Sequence, residues 1–323
     1  MPLPITNTAK KQRATNFELL RIVAMVMIVA HHFLIATGSV DYSNSSPCGG
    51  EAANAFLVCG VNCFVLISGY FGIRTTPKRF AKFLFTILFV AAAEVLFSSV
   101  TGLAQYFNIN YAIHKIIPVF RDSNWFIPSY IGLMAIAPVI NKAIANATLK
   151  ESAIWAAILT ALEIYAYIFS VTSISSTGYN MMHFIYLYIL GDFLKRASSR
   201  VKTTAAAAAY IAGCVAALIT AKFIGTGYTA FAYNSPQIMI ASAGLFLLFS
   251  KMRVKSAAIN LVASGTFCVF LFHYSIIYNL KSHRSFIAIA LVFLASFVIG
   301  TALSKVCNAT WNLIMKTTAR NKA

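Results

Sequence analysis

Asn16-Phe-Glu-Leu-Leu-Arg-Ile-Val-Ala-Met-Val-Met-Ile-Val-Ala-His-His32 decides the reading of this chain. Residues 17–36 form an apolar run of the length, about 20 residues, that a helix needs to cross a bilayer. Lys10, Lys11 and Arg13 precede it, which resembles a signal peptide superficially. The run is too long for a signal core, and too polar, because it holds Glu18, Arg21, His31 and His32. It reads as a retained first membrane helix. Ionisable groups inside a membrane are costly and face a cavity or a partner. Glu18 and Arg21 stand at i,i+3 and can pair. His32 follows Arg21 by close to three turns, so the two share a face, about 16 Å apart along the axis. His31 points about 100° away and is not expected to share their role.

The rest of the chain fits this start. Of 323 residues, 59% are hydrophobic and 11% are charged, whereas soluble domains carry about 25% charged residues. The formal net charge of +18 would suggest nucleic acid in a soluble protein. Here the basic residues lie in short clusters between apolar runs, with no aromatic-interleaved basic patch, so no nucleic-acid partner is expected and the bilayer is the partner implied. The six cysteines show neither a CxxC pair nor a Cys/His metal spacing. Inert, buried thiols and no metal are expected. Cys48 alone falls in a clear loop.

An all-α polytopic membrane protein of about ten transmembrane helices follows, over residues 17–36, 52–72, 80–101, 124–141, 151–170, 180–196, 204–223, 234–250, 260–280 and 285–306. With the N-terminus in the cytoplasm, twenty Lys and Arg fall in inner segments and five in outer ones. That asymmetry supports ten helices with both termini cytoplasmic. The division is a basic N-terminal segment 1–16, a membrane domain 17–306 and a C-terminal tail 307–323. Residues 102–123 make the longest outer loop, and Ala112–Phe120 within it reads as a short amphipathic segment lying on the membrane.

Depth along each helix places His32, Glu94, Glu163, His183 and His273 in the outer half, which predicts a shared polar cavity. The inner end gathers Arg21, Arg74, Lys78, Arg79 and Lys82. Arg and Lys bind phosphates, but for the lysines ordinary positive-inside anchoring is the better reading. Histidine suits proton transfer near neutral pH.

The spacing Arg21, ten residues, His32 resembles the signature of the acyltransferase 3 family of membrane acetyltransferases. The Ser-Gly-aromatic stretch Phe64–Phe71 with Arg74, Lys78 and Arg79 after it, Trp125-Phe-Ile with Tyr130 and Pro138, Tyr186–Gly191, Asn234-Ser-Pro236 with Leu245–Phe249, and Ser264–His273 are similar to its further segments. The resemblance implies a membrane O-acetyltransferase in the inner or plasma membrane of a bacterium. It further implies acetyl-CoA as the donor and, as the acceptor, a saccharide or glycolipid hydroxyl of a cell-envelope or exported polysaccharide. The chain ends at Ala323 without an appended hydrolase-like domain, so it is expected to complete the transfer itself or pass the acetyl group to a separate extracytoplasmic partner.

The expected roles are these. Arg21 with Arg74 or Arg79 meets the donor's phosphates. His32 acts as general base or carries the acyl group. Glu94 or Glu163 orients it, Glu18 pairs with Arg21, and Ser68 and His273 are candidates to polarise the thioester. Trp125 and Tyr130 stack on the sugar or belong to the interfacial aromatic belt. The rival reading is a proton-coupled transporter, for which buried Glu and His are suited. The chain shows neither the internal repeat nor the paired broken helices that such folds carry.

Overall fold

The computed structural model describes residues 14–41, 49–102, 113, 125–175, 177–224, 228–280 and 286–320. Lys10, Lys11, Arg13, Cys48, Ala112, the segment 114–120, Arg121, Lys281, Arg284 and Lys322 lie outside them, and with them most of the amphipathic segment expected in the outer loop.

Each of the ten apolar runs is helical, and no strand occurs among the described residues. The elements are α1 (Thr15–Ala36), α2 (Glu51–Leu57), α3 (Gly60–Phe71), α4 (Pro77–Val100), α5 (Phe126–Asn146), α6 (Leu149–Ile168), α7 (Met181–Ala197), α8 (Thr203–Phe223), α9 (Tyr228–Phe231), α10 (Pro236–Ser250), α11 (Ala257–Ala263), α12 (Thr266–Leu280) and α13 (Phe286–Arg320). Among the described residues, seven spans are long and apolar enough to cross a membrane, counting α2 and α3 as one. An eighth is the pair α11 and α12, bent by 58°. With 17 and 15 residues, α7 and α10 fall short of the about 20 that a straight span needs.

The helix starts follow from local chemistry. Thr76 accepts from the Arg79 backbone N–H ahead of Pro77, and Thr148 and Glu151 form a reciprocal capping box. Asn180 and Ser256 cap α7 and α11. Pro138 lies inside α5 and has no N–H to give to the carbonyl of Met134. The Thr75 hydroxyl donates to that carbonyl at 2.6 Å instead. Such replacement is what allows a proline inside a membrane helix.

Packing sets α1 in the centre, against α3, α10, α11 and α12. Close crossings depend on small residues. A Cβ on Gly69 of α3 would lie 2.1 Å from the Tyr188 carbonyl oxygen of α7, and one on Gly191 2.3 Å from that of Leu66. The distribution of polarity is that of a membrane protein. Asn54, Asn62, Glu94, Glu163, His183, Asn234 and His273 are buried, whereas Leu96, Val139, Phe223, Leu294 and Val298 are more than half exposed. In water such an apolar exterior would associate; in a bilayer it is the solvated face.

The basic connections converge at one end of the bundle. Phe71 at the end of α3 lies under the Arg21 guanidinium at 5.8 Å. Arg79 donates to the Arg74 carbonyl beside it. Lys195 donates to the Tyr70 carbonyl at 3.0 Å, Arg196 to those of Ile144 and Ala147, and Lys251 to that of Ser198. α13 departs from the expected boundary at residue 306, since it continues unbroken to Arg320. At 1.5 Å per residue its 35 residues span about 52 Å, well beyond the ~30 Å hydrocarbon core.

Candidate active site

The site is built on one face of α1. Glu18, Arg21, Met25 and Ile28, spaced by three or four residues, line a cavity of about 570 Å3. Ser68 from α3, Tyr130 from α5, Thr266 and Phe270 from α12 and Asn308 from α13 contribute to its other walls. Arg21 and Glu18 form an ion pair at 2.8 Å, with the arginine side chain 31% exposed, so the cationic end of the cavity is open. The Ser68 hydroxyl donates to the Phe64 carbonyl at 3.0 Å. The Tyr130 hydroxyl, 3.2 Å away, therefore donates to Ser68 Oγ.

His32 stands one turn beyond Ile28 on the same face of α1, and His273 three residues beyond Phe270 on α12. The two helices that wall the cavity thus carry their histidines just past it, and the rings meet there. His32 Nδ1 lies 2.7 Å from His273 Nε2. His273 is buried and His32 is partly exposed. The Tyr274 ring, 37% exposed, packs 4.6 Å from His32. His31 turns away and bonds Asn54 at 2.5 Å, in keeping with the 100° offset.

Several expectations are corrected by this geometry. Among the described contacts the outer-half polar residues fall into separate groups, and the cavity described above is lined by none of them. Glu94 accepts from Ser275 at 3.0 Å. Glu163 lies 3.3 Å from His183, whose other nitrogen meets Asn62. Neither carboxylate orients His32, because His273 occupies that place. Tyr130 lies on the Arg21 cavity and is not at an outer surface. Trp125 does not line the cavity; it packs on Tyr179, Phe184 and Tyr233. Arg74 and Arg79 are exposed at the Arg21 end without lining the cavity. Tyr274 and Asn308 were not singled out in the sequence. Tyr274 had a signal, since it directly follows His273 in the closing motif. Asn308 lies past the expected end of the last span.

Among the described residues, no group of three His, Cys, Asp or Glu side chains gathers as a metal site would require. The described cysteines, Cys59, Cys63, Cys214, Cys268 and Cys307, are free thiols and buried.

A multi-pass α-helical membrane protein, with an imidazole pair beyond a cavity that opens beside an arginine, is the class these features define. The sequence matches the family model of the acyltransferase 3 type, described as an acyltransferase domain, over residues 15–308. The chain belongs to that acyltransferase family. The match begins at the start of α1 and ends at Asn308, so it takes in both histidines and every wall of the cavity. No curated protein and no solved structure matches the chain.

Proposed function

We propose that this acyltransferase moves an acetyl group from cytoplasmic acetyl-CoA to a hydroxyl of a cell-envelope or exported polysaccharide, or of its glycolipid precursor. One observation carries the reading: a single face of α1 runs from the open Arg21 end, along the cavity wall, to His32.

The donor's phosphates bind at Arg21, where a guanidinium supplies several donors in a fixed fork. Glu18 orients that guanidinium and must yield part of it to a phosphate. The pantetheine arm lies along the mixed wall of Met25, Ile28 and Phe270, with hydroxyls at Ser68, Tyr130 and Thr266 for its amides. Its thioester then comes to His32. Arg74 and Arg79 raise the positive potential at the mouth. His32 takes the proton of the acceptor hydroxyl, the hydroxyl oxygen attacks the thioester carbonyl, the C–S bond breaks, and the thiolate leaves with the proton returned by His32. Direct transfer accounts for the reaction without a covalent acyl-histidine. General-base action supplies about 10²–10⁴-fold, and positioning in the cavity supplies the remainder. On the acceptor side Tyr274 offers a ring face to a sugar beside the reacting nitrogen.

The test is O-acetylation of surface polysaccharide in cells carrying the wild type, His32→Ala or Arg21→Ala at matched membrane levels. His32→Ala is expected to abolish it. Arg21→Ala is expected to act by weakening donor binding, and so to recover partly when acetyl-CoA is raised in membrane vesicles. Normal acetylation by both variants would remove the site from the reaction.

A further inference from the structure

His273 carries more chemical information than its burial suggests. Its Nδ1 lies 2.7 Å from the Phe270 carbonyl oxygen and 3.2 Å from that of Val269. A carbonyl oxygen only accepts, so Nδ1 bears the hydrogen, and in a neutral imidazole Nε2 is then bare. That bare Nε2 lies 2.7 Å from Nδ1 of His32. Two lone pairs do not approach to this distance, so His32 Nδ1 bears a hydrogen and donates it. The remaining nitrogen of His32, Nε2, is therefore the one with a free lone pair. The order is fixed from the backbone outward: Phe270 carbonyl, His273, His32, open basic nitrogen. The two ring planes lie within 16° of each other, and Tyr274 packs against both at 4.6 and 4.7 Å. Neither imidazole is free to turn without breaking this order.

We propose that His273 is the positioning residue of the transfer, holding His32 in the Nδ1–H tautomer so that Nε2 is the atom that takes the acceptor's proton. The proposal rests on the acyltransfer reading above. During the step, the acceptor O–H bond breaks and its proton passes to His32 Nε2. The oxygen forms the new bond to the acetyl carbon, the C–S bond breaks, and the thiolate recovers the proton from Nε2. While His32 is an imidazolium, its Nδ1–H stays on His273 Nε2, whose lone pair offsets the charge. His273 touches neither substrate, and its own Nδ1–H remains on the Phe270 carbonyl throughout. In this chain an imidazole does what a carboxylate does for histidine in other general-base sites. It is anchored by a main-chain oxygen, and it brings no negative charge into the membrane interior.

The test has two arms. In the first, inverted membrane vesicles carrying wild type, His273→Leu or His273→Gln receive [14C]acetyl-CoA, and transfer to endogenous saccharide is followed against donor concentration. Gln sets an amide oxygen near the place of Nε2 and can accept from His32; Leu cannot. His273→Leu is expected to lower kcat by about 10²-fold or more with the donor KM within about twofold, and Gln to recover about tenfold of that loss. In the second arm, 15N-histidine spectra of the purified wild-type protein report the tautomer, with His32 assigned by its loss in His32→Ala. The Nδ1–H form is expected. An Nε2–H form, or a kcat for His273→Leu within about threefold of wild type, overturns the proposal. Should His273→Leu fail to fold, the spectrum decides. If His32→Ala itself retains transfer, the acyltransfer reading of the site fails. If His32→Ala abolishes transfer and His273→Leu does not, only the role of His273 fails.

Discussion

Asn62 is fully buried, and its amide nitrogen and its oxygen are both engaged. Its amide nitrogen donates to the Tyr233 carbonyl at 2.9 Å and to Ser242 Oγ at 3.1 Å, and its oxygen meets His183 Nε2 at 3.2 Å. Ser242 gives its own hydrogen to the Ile238 carbonyl, so it can only accept from Asn62. One side chain thus joins α3, α7 and α10. Asn62→Ala leaves three buried groups without it and is expected to cost about 1–3 kcal/mol, read as a lowered unfolding midpoint in detergent; an unchanged midpoint would show the network to be redundant. At the cavity mouth, magnitude separates the arginines. A single exposed charge is worth about 0.2–1 kcal/mol, and 1 kcal/mol is roughly a fivefold effect. Arg74→Ala and Arg79→Ala should therefore raise the donor KM by about fivefold or less, whereas Arg21→Ala, which removes a cation from the cavity wall, should raise it by more than about tenfold. Equal effects at the three positions would place the phosphates outside the cavity. Much of this site was legible in the sequence: Arg21 and His32 share a face by spacing alone. The partner of His32 was not, because His273 is 241 residues away in the chain. Depth put the two at one level, but depth does not say which way a helix is turned, and that turn also sends Glu163 to His183.

The helices make the site by crossing closely at a few glycines. α3 carries Phe64 and Ser68 to the cavity, and its distance from α7 is set where Gly69 and Gly191 face each other. The Cβ of an alanine at Gly191 would stand 3.2 Å from the Gly69 Cα. Neither position has room for a methyl group, since the nearest atoms are backbone carbonyls that cannot swing away. Gly69→Ala and Gly191→Ala are each expected to destabilise by about 1–3 kcal/mol. The double variant should cost less than the sum, because the first methyl opens the gap that the second enters. Strict additivity in thermal unfolding would mean that the two positions do not share one crossing. Hydropathy picked out ten runs that each hold a helix, since apolarity over about 20 residues is a strong signal, but only seven or eight spans among the described residues are long and apolar enough to cross a membrane. It could not see the interruption at Val58–Cys59 or the 58° bend at Ser264–Gly265. Both segments stay apolar while the hydrogen-bond ladder breaks. It also lost α13 after residue 306, where Asn308, Asn312, Lys316 and Arg320 interrupt the apolar run while the helix continues.

At the scale of the whole molecule, charge and cavity point the same way. Twenty of the 26 Lys and Arg residues fall on one side of the expected topology, and the connections bearing Arg74, Arg79, Lys195, Arg196 and Lys251 meet at the Arg21 end of the bundle. Positive loops remain in the cytoplasm, which is also where acetyl-CoA is found. The open end of the cavity should therefore face the donor's compartment, and the histidine pair should lie toward the acceptor's. Ser264 tests this, because it is exposed and lines the cavity, while the five described cysteines are buried. In a Cys48→Ser background, Ser264→Cys is expected to react with a membrane-impermeant maleimide in inverted vesicles and not in intact cells. Acetyl-CoA at ten times its dissociation constant should slow that reaction about elevenfold, the factor by which it depletes the empty site. Desulfo-CoA, which keeps the phosphates, should protect as well, and free pantetheine much less, because Arg21 then has no phosphate to hold. Reaction in intact cells alone would invert the topology. Reaction from the cytoplasmic side without protection by either nucleotide would leave the topology intact and take the donor out of this cavity.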